Sequence, residues 1–263
     1  NEARPKQYLK LVNREINSME HCSMLQRVWE QLEYAGIAKE TVITAGEEQL
    51  ELIRSQVKGA RVAAEPMRRD TFGAVLLSCA YLHSYTGADL EDYAVVMPVD
   101  PYTEISYFET IKTLETVMKK SKAEVGLMGA VPSHPSTKYG YILPGEKKEA
   151  YFEVQGFAEK PDVKKAEELF AQGALWNCGV FCVKIGAMLS MAEKYGVPTD
   201  YKGMCEQYEK LPKISFDYEV LEKAAKLAMV QYQGFWKDLG TWDAFAEQMS
   251  TDCIGNVVLD DSC

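Results

Sequence analysis

A chain of 263 residues, 47% hydrophobic and 26% charged, has the composition of a folded protein able to bury one large core, which excludes the disordered and fibrous classes. Its formal net charge of −10 works against nucleic-acid and anionic-membrane partners, because neutralising phosphates takes a basic surface; any phosphate ligand must be small and locally held. Seven cysteines with no CxxC pair argue for reduced thiols in a cytoplasmic setting over a disulfide framework or zinc ribbon, and no apolar run reaches the ~18 residues of a membrane span.

Ser18 is expected to cap a first helix that carries Met24, Leu25, Val28, Trp29 and Leu32 on one face and ends at Gly36. The run TVITAG then reads as a short buried strand. The alternation continues through EEQLELIRSQV as helix, RVAAEP as strand, DTFGAVLLSCAYLHSY as helix and YAVVMPVD as strand, then the helix EISYFETIKTLETVMKK and the strand AEVGLMGAVP. Strands separated by helices of this length imply crossovers, hence an α/β fold with a mostly parallel, mixed central sheet flanked by helices. From Tyr139 to Val183 the pattern changes to extended runs, YGYIL, AYFEVQGFAEKP and LWNCGVFCVK, with one short charged helix near Val163 to Gln172. This segment is the expected substrate-binding half. No internal repeat or Pro/Gly-rich linker sets it apart, so two halves of one domain are expected.

In such sheets ligands collect beyond the carboxyl ends of the strands. Asp100 stands there after Val95, Val96 and Met97, and Asp238 ends a second strand within MVQYQGFWKD. Each alone is equally a turn residue or helix cap; as a pair they outline a site for a divalent, oxygen-seeking cation, Mg²⁺ or Mn²⁺. Lys160, in FAEKP at the end of another strand, and Lys6, behind Pro5, are compact phosphate-binding charges. Two carboxylates for a metal and two lysines for phosphates suggest phosphoryl or nucleotidyl transfer. His21, His83 and His134 are scattered without metal spacing and read as structural or surface groups; Cys178 and Cys182, four apart in a strand pattern, read as core. A nicotinamide oxidoreductase is disfavoured because the sequence has no GxGxxG.

The segments RPKQYLKL, EPMRRDT, PVD, TKYGYI, FAEKP, WNCGVF, SFDYEVLE and WKDLGTW stand in the order and approximate spacing of the sugar-1-phosphate nucleotidyltransferases. The chain resembles that family over nearly its whole length, most of all its mannose-1-phosphate guanylyltransferases. The resemblance implies a Rossmann-like nucleotidyltransferase fold over residues 1–250 and, in IGNVVLDDSC, the start of a small C-terminal β extension over residues 251–263. It also implies a first strand and a glycine-rich loop ahead of the Pro5-Lys6-Gln7 step, which the sequence does not show.

The implied reaction is in-line attack of a sugar-1-phosphate oxygen on the α-phosphorus of a nucleoside triphosphate, GTP above others, with pyrophosphate leaving. Asp100 and Asp238 would hold the metal, Lys6 would screen the triphosphate and Lys160 would hold the sugar phosphate. Glu159 and Asn177 would bond sugar hydroxyls, and the backbone around Gly140 would form one wall of the pocket. Glu65, ending a strand before Pro66, would accept from N1–H and the 2-amino group of guanine and so select the base. GTP and the sugar-1-phosphate are the expected partners, with a homodimer as the candidate assembly. Transfer from UTP, dTTP or CTP stays open, as does a non-catalytic paralogue that binds sugar nucleotides. Three departures from the family fall near the nucleotide: Pro101 where histidine is common, Asp70 where asparagine is common, and TFGAV where TAPAI is frequent. Asp70 is expected to cap the helix that follows it.

Overall fold

A computed structural model describes residues 5–14, 20–242 and 244. In chain order its elements are β1 (Val12–Asn13), β2 (His21–Cys22), α1 (Met24–Tyr34), β3 (Val42–Gly46), α2 (Leu50–Gln56), β4 (Arg61–Glu65), α3 (Asp70–Thr86), β5 (Tyr93–Val96), β6 (Pro101–Thr103) and α4 (Ile105–Ser121). There follow β7 (Val125–Ala130), β8 (Tyr141–Lys147), β9 (Phe152–Ala158), α5 (Val163–Ala171), β10 (Leu175–Lys184), α6 (Ile185–Lys194), α7 (Tyr201–Glu206), a π-helical turn (Asp217–Leu221), β11 (Leu227–Tyr232) and β12 (Trp236–Asp238).

Helix α1 begins where a reciprocal cap meets an apolar stripe. Ser23 Oγ accepts from the Gln26 N–H, while the Gln26 side chain accepts from the Ser23 N–H, so two otherwise orphaned donors are satisfied. Met24, Leu25, Val28 and Leu32 are then buried on one face, and Gly36 ends the helix in the left-handed region at φ 77°. The expected cap, Ser18, lies outside the described residues, as does the expected C-terminal β extension.

The main sheet has six strands in the order β5-β10-β7-β11-β9-β8. It is mixed, as expected, but not mostly parallel: among the described pairings of this sheet β7–β11 alone is parallel, and the others are antiparallel. The reason lies in the second half of the chain. β8 and β9 are joined by a short loop that cannot make a crossover, and the long β10 returns along β7 on one side and β5 on the other. β3 and β4 form a separate parallel pair, with α2 as the connection between them.

Because successive strand residues point to opposite faces, the sheet feeds two cores. Leu127, Met229 and Val183 join Phe72 and Leu76 of α3 and Leu189 of α6 on one face. Met128, Val230 and Val180 join Leu32 of α1 and Phe108, Leu114 and Met118 of α4 on the other. Cys178 and Cys182 are buried together in this second core, as their spacing predicts, and burial pushes the Cys182 thiol up to about 12. The exposed edges of β3 and β5 both line one cavity of about 1430 Å³, whose apolar wall comes from α1 and α3 and whose polar end lies beyond β5.

Candidate active site

The polar end of that cavity is built by a two-stranded ribbon. β12 runs antiparallel to β6, with Asp238 opposite Pro101 and Trp236 opposite Thr103. Proline is tolerated at the first position of a short strand, where no ladder N–H is required, and its fixed φ sets the exit of the chain from Asp100. The ribbon brings Asp100 and Asp238 together: the Leu239 N–H donates to the Asp100 carbonyl at 3.0 Å. The Gly240 N–H donates to Asp238 Oδ1 at 2.6 Å, and a Cβ at Gly240 would come within 2.8 Å of that oxygen, so a side chain there would push the carboxylate off this contact. Burial raises the Asp100 carboxyl above its ordinary value and the nearby charge of Asp238 adds to this, partly offset by a backbone hydrogen bond and by Lys6. Lys6, in the 3-10 turn Lys6–Tyr8, donates through Nζ to the Leu239 carbonyl. Asp100, Asp238 and Lys6 are thus gathered as expected, although Lys6 is not a cavity-lining residue.

Gly140, Glu159, Lys160 and Asn177 line the same cavity. Asn177, on β10, donates its backbone N–H to the Gly140 carbonyl at 2.8 Å. Gly140 lets the Glu159 carboxylate sit close to the backbone: a Cβ would lie 2.5 Å from Glu159 Oε2 and 3.3 Å from the Asn177 Cβ. Glu159 and Lys160 make an ion pair at 3.3 Å, the glutamate side chain 11% and the lysine 63% exposed, so the carboxylate is held inside while the ammonium reaches outward. Lys160 has φ 40°, a left-handed backbone ahead of Pro161 that a non-glycine residue adopts at a cost of about 1–3 kcal/mol.

The sequence reading missed Asp217. It lines the cavity, and its Oδ1 accepts from Asn177 Nδ2 at 3.1 Å. Burial and then the charge of Glu159 push its carboxyl up to about 6, against the opposing pull of its backbone, of Lys160 and of Asn177. The available signal was a carboxylate in SFDYEVLE flanked by Phe216, Val220 and Leu221, all of which are buried. Tyr139 and Trp236 were also missed; both line the cavity, with ring centroids 5.3 Å apart.

Glu65 is not brought to the cavity. Its Oε1 accepts from the Tyr208 hydroxyl at 2.8 Å and from the Arg69 N–H at 3.2 Å, an arrangement that anchors the buried Tyr208 ring. Burial first and Glu65 second push the Tyr208 hydroxyl well above its ordinary value. Gly73 makes room for that hydroxyl, since a Cβ there would stand 2.7 Å from it, and this accounts for the glycine in TFGAV. Asp70 is not the expected cap. It is the first residue of α3, with φ 63°, and its carboxylate closes on the adjacent Thr71 N–H at 2.7 Å. His83 Nδ1 pairs with the Ala88 carbonyl at 2.8 Å and His134 meets Trp176 edge-on at 5.1 Å, in keeping with structural roles.

Residues 9–253 match the sequence pattern of the nucleotidyl transferase family. The chain belongs to that family. It is 30% identical to a Thermus thermophilus protein of solved structure described as a mannose-1-phosphate geranyltransferase, with a TM-score of 0.79 over 96% of this chain and 74% of that one. A Sinorhizobium fredii mannose-1-phosphate guanylyltransferase is 26% identical over 96% of this chain and 52% of its own length. The mannose-1-phosphate guanylyltransferase RfbM of Salmonella typhimurium is 26% identical over 99% of this chain and 57% of its own length. The chain therefore spans little more than half the length of these curated relatives.

Among the described residues no group of three or more His, Cys, Asp and Glu side chains could hold a metal ion by itself, and no helix is long and apolar enough to cross a membrane. Asp100 and Asp238 offer hard oxygen donors, brought side by side by the β6–β12 ribbon. Such a pair fits a cation that takes one or two carboxylates and completes its shell with phosphate oxygens and water.

Proposed function

We propose that this chain transfers GMP from GTP to a sugar-1-phosphate, with mannose-1-phosphate as the sugar, releasing pyrophosphate. The observation that carries this reading is that two chemically distinct sets of residues line one cavity: Asp100 and Asp238, and Gly140, Glu159, Lys160, Asn177 and Asp217. A nucleophile and an electrophile that both carry negative charge must be aligned and screened. Lys160, the outward cation of the second set, would take the sugar phosphate, while Glu159 and Asn177 accept from and donate to sugar hydroxyls. Lys6, through its contact with the Leu239 carbonyl, would fix the ribbon that carries both aspartates and screen the triphosphate beside them. A Mg²⁺ or Mn²⁺ ion held by Asp100 and Asp238 would supply charge neutralisation between the reacting phosphates. The choice of guanine and of mannose draws on the names of the relatives and on the motif register. Glu65 is left out of base recognition because its carboxylate serves Tyr208.

The apolar half of the cavity supports the same reading. β3 and β5 each present an edge to it that pairs with no other described strand, so one extended apolar segment between them would join the two sheets. The first strand that the family resemblance implies would fit such a position. A cytoplasmic setting and a homodimer belong to this reading, and size-exclusion chromatography with light scattering checks the latter.

The test is pyrophosphate release by the full-length protein across four nucleoside triphosphates and a panel of sugar-1-phosphates. GTP with mannose-1-phosphate should lead the panel. Preference for UTP, dTTP or CTP would replace the guanylyl assignment, and nucleotide-sugar binding without pyrophosphate release would favour a non-catalytic paralogue.

A further inference from the structure

The side-chain amide of Asn177 is held at both ends. Its Oδ1 accepts from the Gly179 N–H at 3.1 Å, and its Nδ2 donates to Asp217 Oδ1 at 3.1 Å. Turning the amide over would set its NH₂ against the Gly179 N–H and its oxygen against a carboxylate, so one orientation alone satisfies both neighbours. A ligand in the cavity therefore meets one defined donor hydrogen on Nδ2 and one defined lone pair on Oδ1.

The support behind this arrangement is rigid. Gly179 sits at φ 69° where the register of β10 shifts between Asn177 and Phe181, a bulge that turns the Asn177 side chain out of the regular ladder. Asp217 opens the π-helical turn, and the residue before it, Phe216, donates its N–H to Thr71 Oγ1 at 2.8 Å and stacks on Phe181 with ring centroids 4.8 Å apart. The turn is thus tied to α3 and to β10 at once. A polar group this well held, facing a cavity and beside a second carboxylate, is more than the fold requires.

We propose that Asp217 is a positioning residue for the sugar: it fixes the Asn177 amide and, with Glu159, makes a two-carboxyl wall that recognises adjacent ring hydroxyls of a hexose phosphate. This inference rests on the proposed function, and it adds a residue that the motif register did not assign. A carboxylate accepts from hydroxyls and repels phosphate, so the wall also orients the ligand, hydroxyls toward Asp217 and Glu159 and phosphate toward Lys160.

The experiment compares the affinities of GDP and GDP-mannose for the full-length protein by isothermal titration calorimetry, using the ratio to isolate the sugar contribution. Asp217→Ala should reduce that ratio about tenfold, in line with loss of a hydrogen bond to a charged group, while GDP affinity stays unchanged. Asp217→Asn keeps an acceptor for Asn177 and should recover much of the loss. If both variants keep the wild-type ratio, Asp217 is a fold residue and the inference is overturned while the proposed function stands. If both variants lose GDP and GDP-mannose affinity equally, the role is structural and the inference is likewise overturned. A wild-type protein that binds neither ligand would overturn the proposed function and this inference with it.

Discussion

Asp100 and Asp238 face each other across the end of the β6–β12 ribbon, joined through the Leu239 N–H that donates to the Asp100 carbonyl at 3.0 Å. The ribbon holds two like charges side by side, and both burial and the presence of Asp238 raise the Asp100 carboxyl. Asp100→Asn should therefore raise the melting temperature of the metal-free protein while reducing turnover by about a hundredfold or more, since the residue is placed for charge handling at the expense of stability. Thermal melts in chelator and steady-state pyrophosphate release check both halves. Near-normal turnover would remove Asp100 from the site.

Asp217 gives a pH signature of its own. The charged and polar groups facing it are Glu159, Lys160 and Asn177, and its folded value of about 6 lies above the ordinary 3.8. The folded state thus binds the proton more tightly than the unfolded chain. This contribution to stability is fully present below pH about 4 and is lost as the pH rises through about 6. Asp217→Asn should remove that dependence, so the melting temperature of wild type relative to the variant should fall between about pH 4 and 6 and stay level above pH 7. A constant difference across the range would contradict the assignment.

Gly140→Ala places a methyl group 2.5 Å from Glu159 Oε2, closer than atoms approach without displacement. The carboxylate has to swing away from its proposed contact with the sugar, and the KM for the sugar-1-phosphate should rise several-fold, on the order of one lost hydrogen bond. The KM for GTP should be unchanged. Equal changes in both would mean that the glycine serves the fold as a whole.

Glu65→Gln should leave the preference for GTP over ITP unaltered, because the carboxylate faces Tyr208 and lies outside the cavity lining. Glu65→Ala, in contrast, strips the buried Tyr208 hydroxyl of its acceptor and should cost about 1–3 kcal/mol of stability by denaturant unfolding. A shrunken GTP-to-ITP ratio in the glutamine variant would return Glu65 to base recognition.

These cases mark what a single sequence makes legible. The strand-end positions of Asp100 and Asp238 were readable because an apolar run ending in aspartate is a local pattern, and the ribbon that joins them confirms that they meet. Glu65 has the same local pattern, yet its partner Tyr208 stands 143 residues away in the chain, and nothing near Glu65 announces it. Asp217 was hidden for a related reason: its meaning depends on Asn177, 40 residues away, and on a π-helical turn that no periodicity rule describes. The parallel character of the sheet was overestimated because helix-separated strands in the first half set the expectation, whereas β8 and β9 pair across a short loop.

The proposed transfer requires this cavity to bring a nucleoside triphosphate and a sugar-1-phosphate together. The most direct measurement is phosphorus-31 NMR of the full-length protein with GTP, mannose-1-phosphate and Mg²⁺, comparing wild type with Lys160→Ala. Wild type should convert the two substrates to GDP-mannose and pyrophosphate in equal amounts, and the variant should do so only at much higher mannose-1-phosphate with its GTP requirement unchanged. Wild-type spectra that show GTP and mannose-1-phosphate unconsumed, or consumption of GTP without a pyrophosphate-linked sugar product, would rule out guanylyl transfer to mannose-1-phosphate.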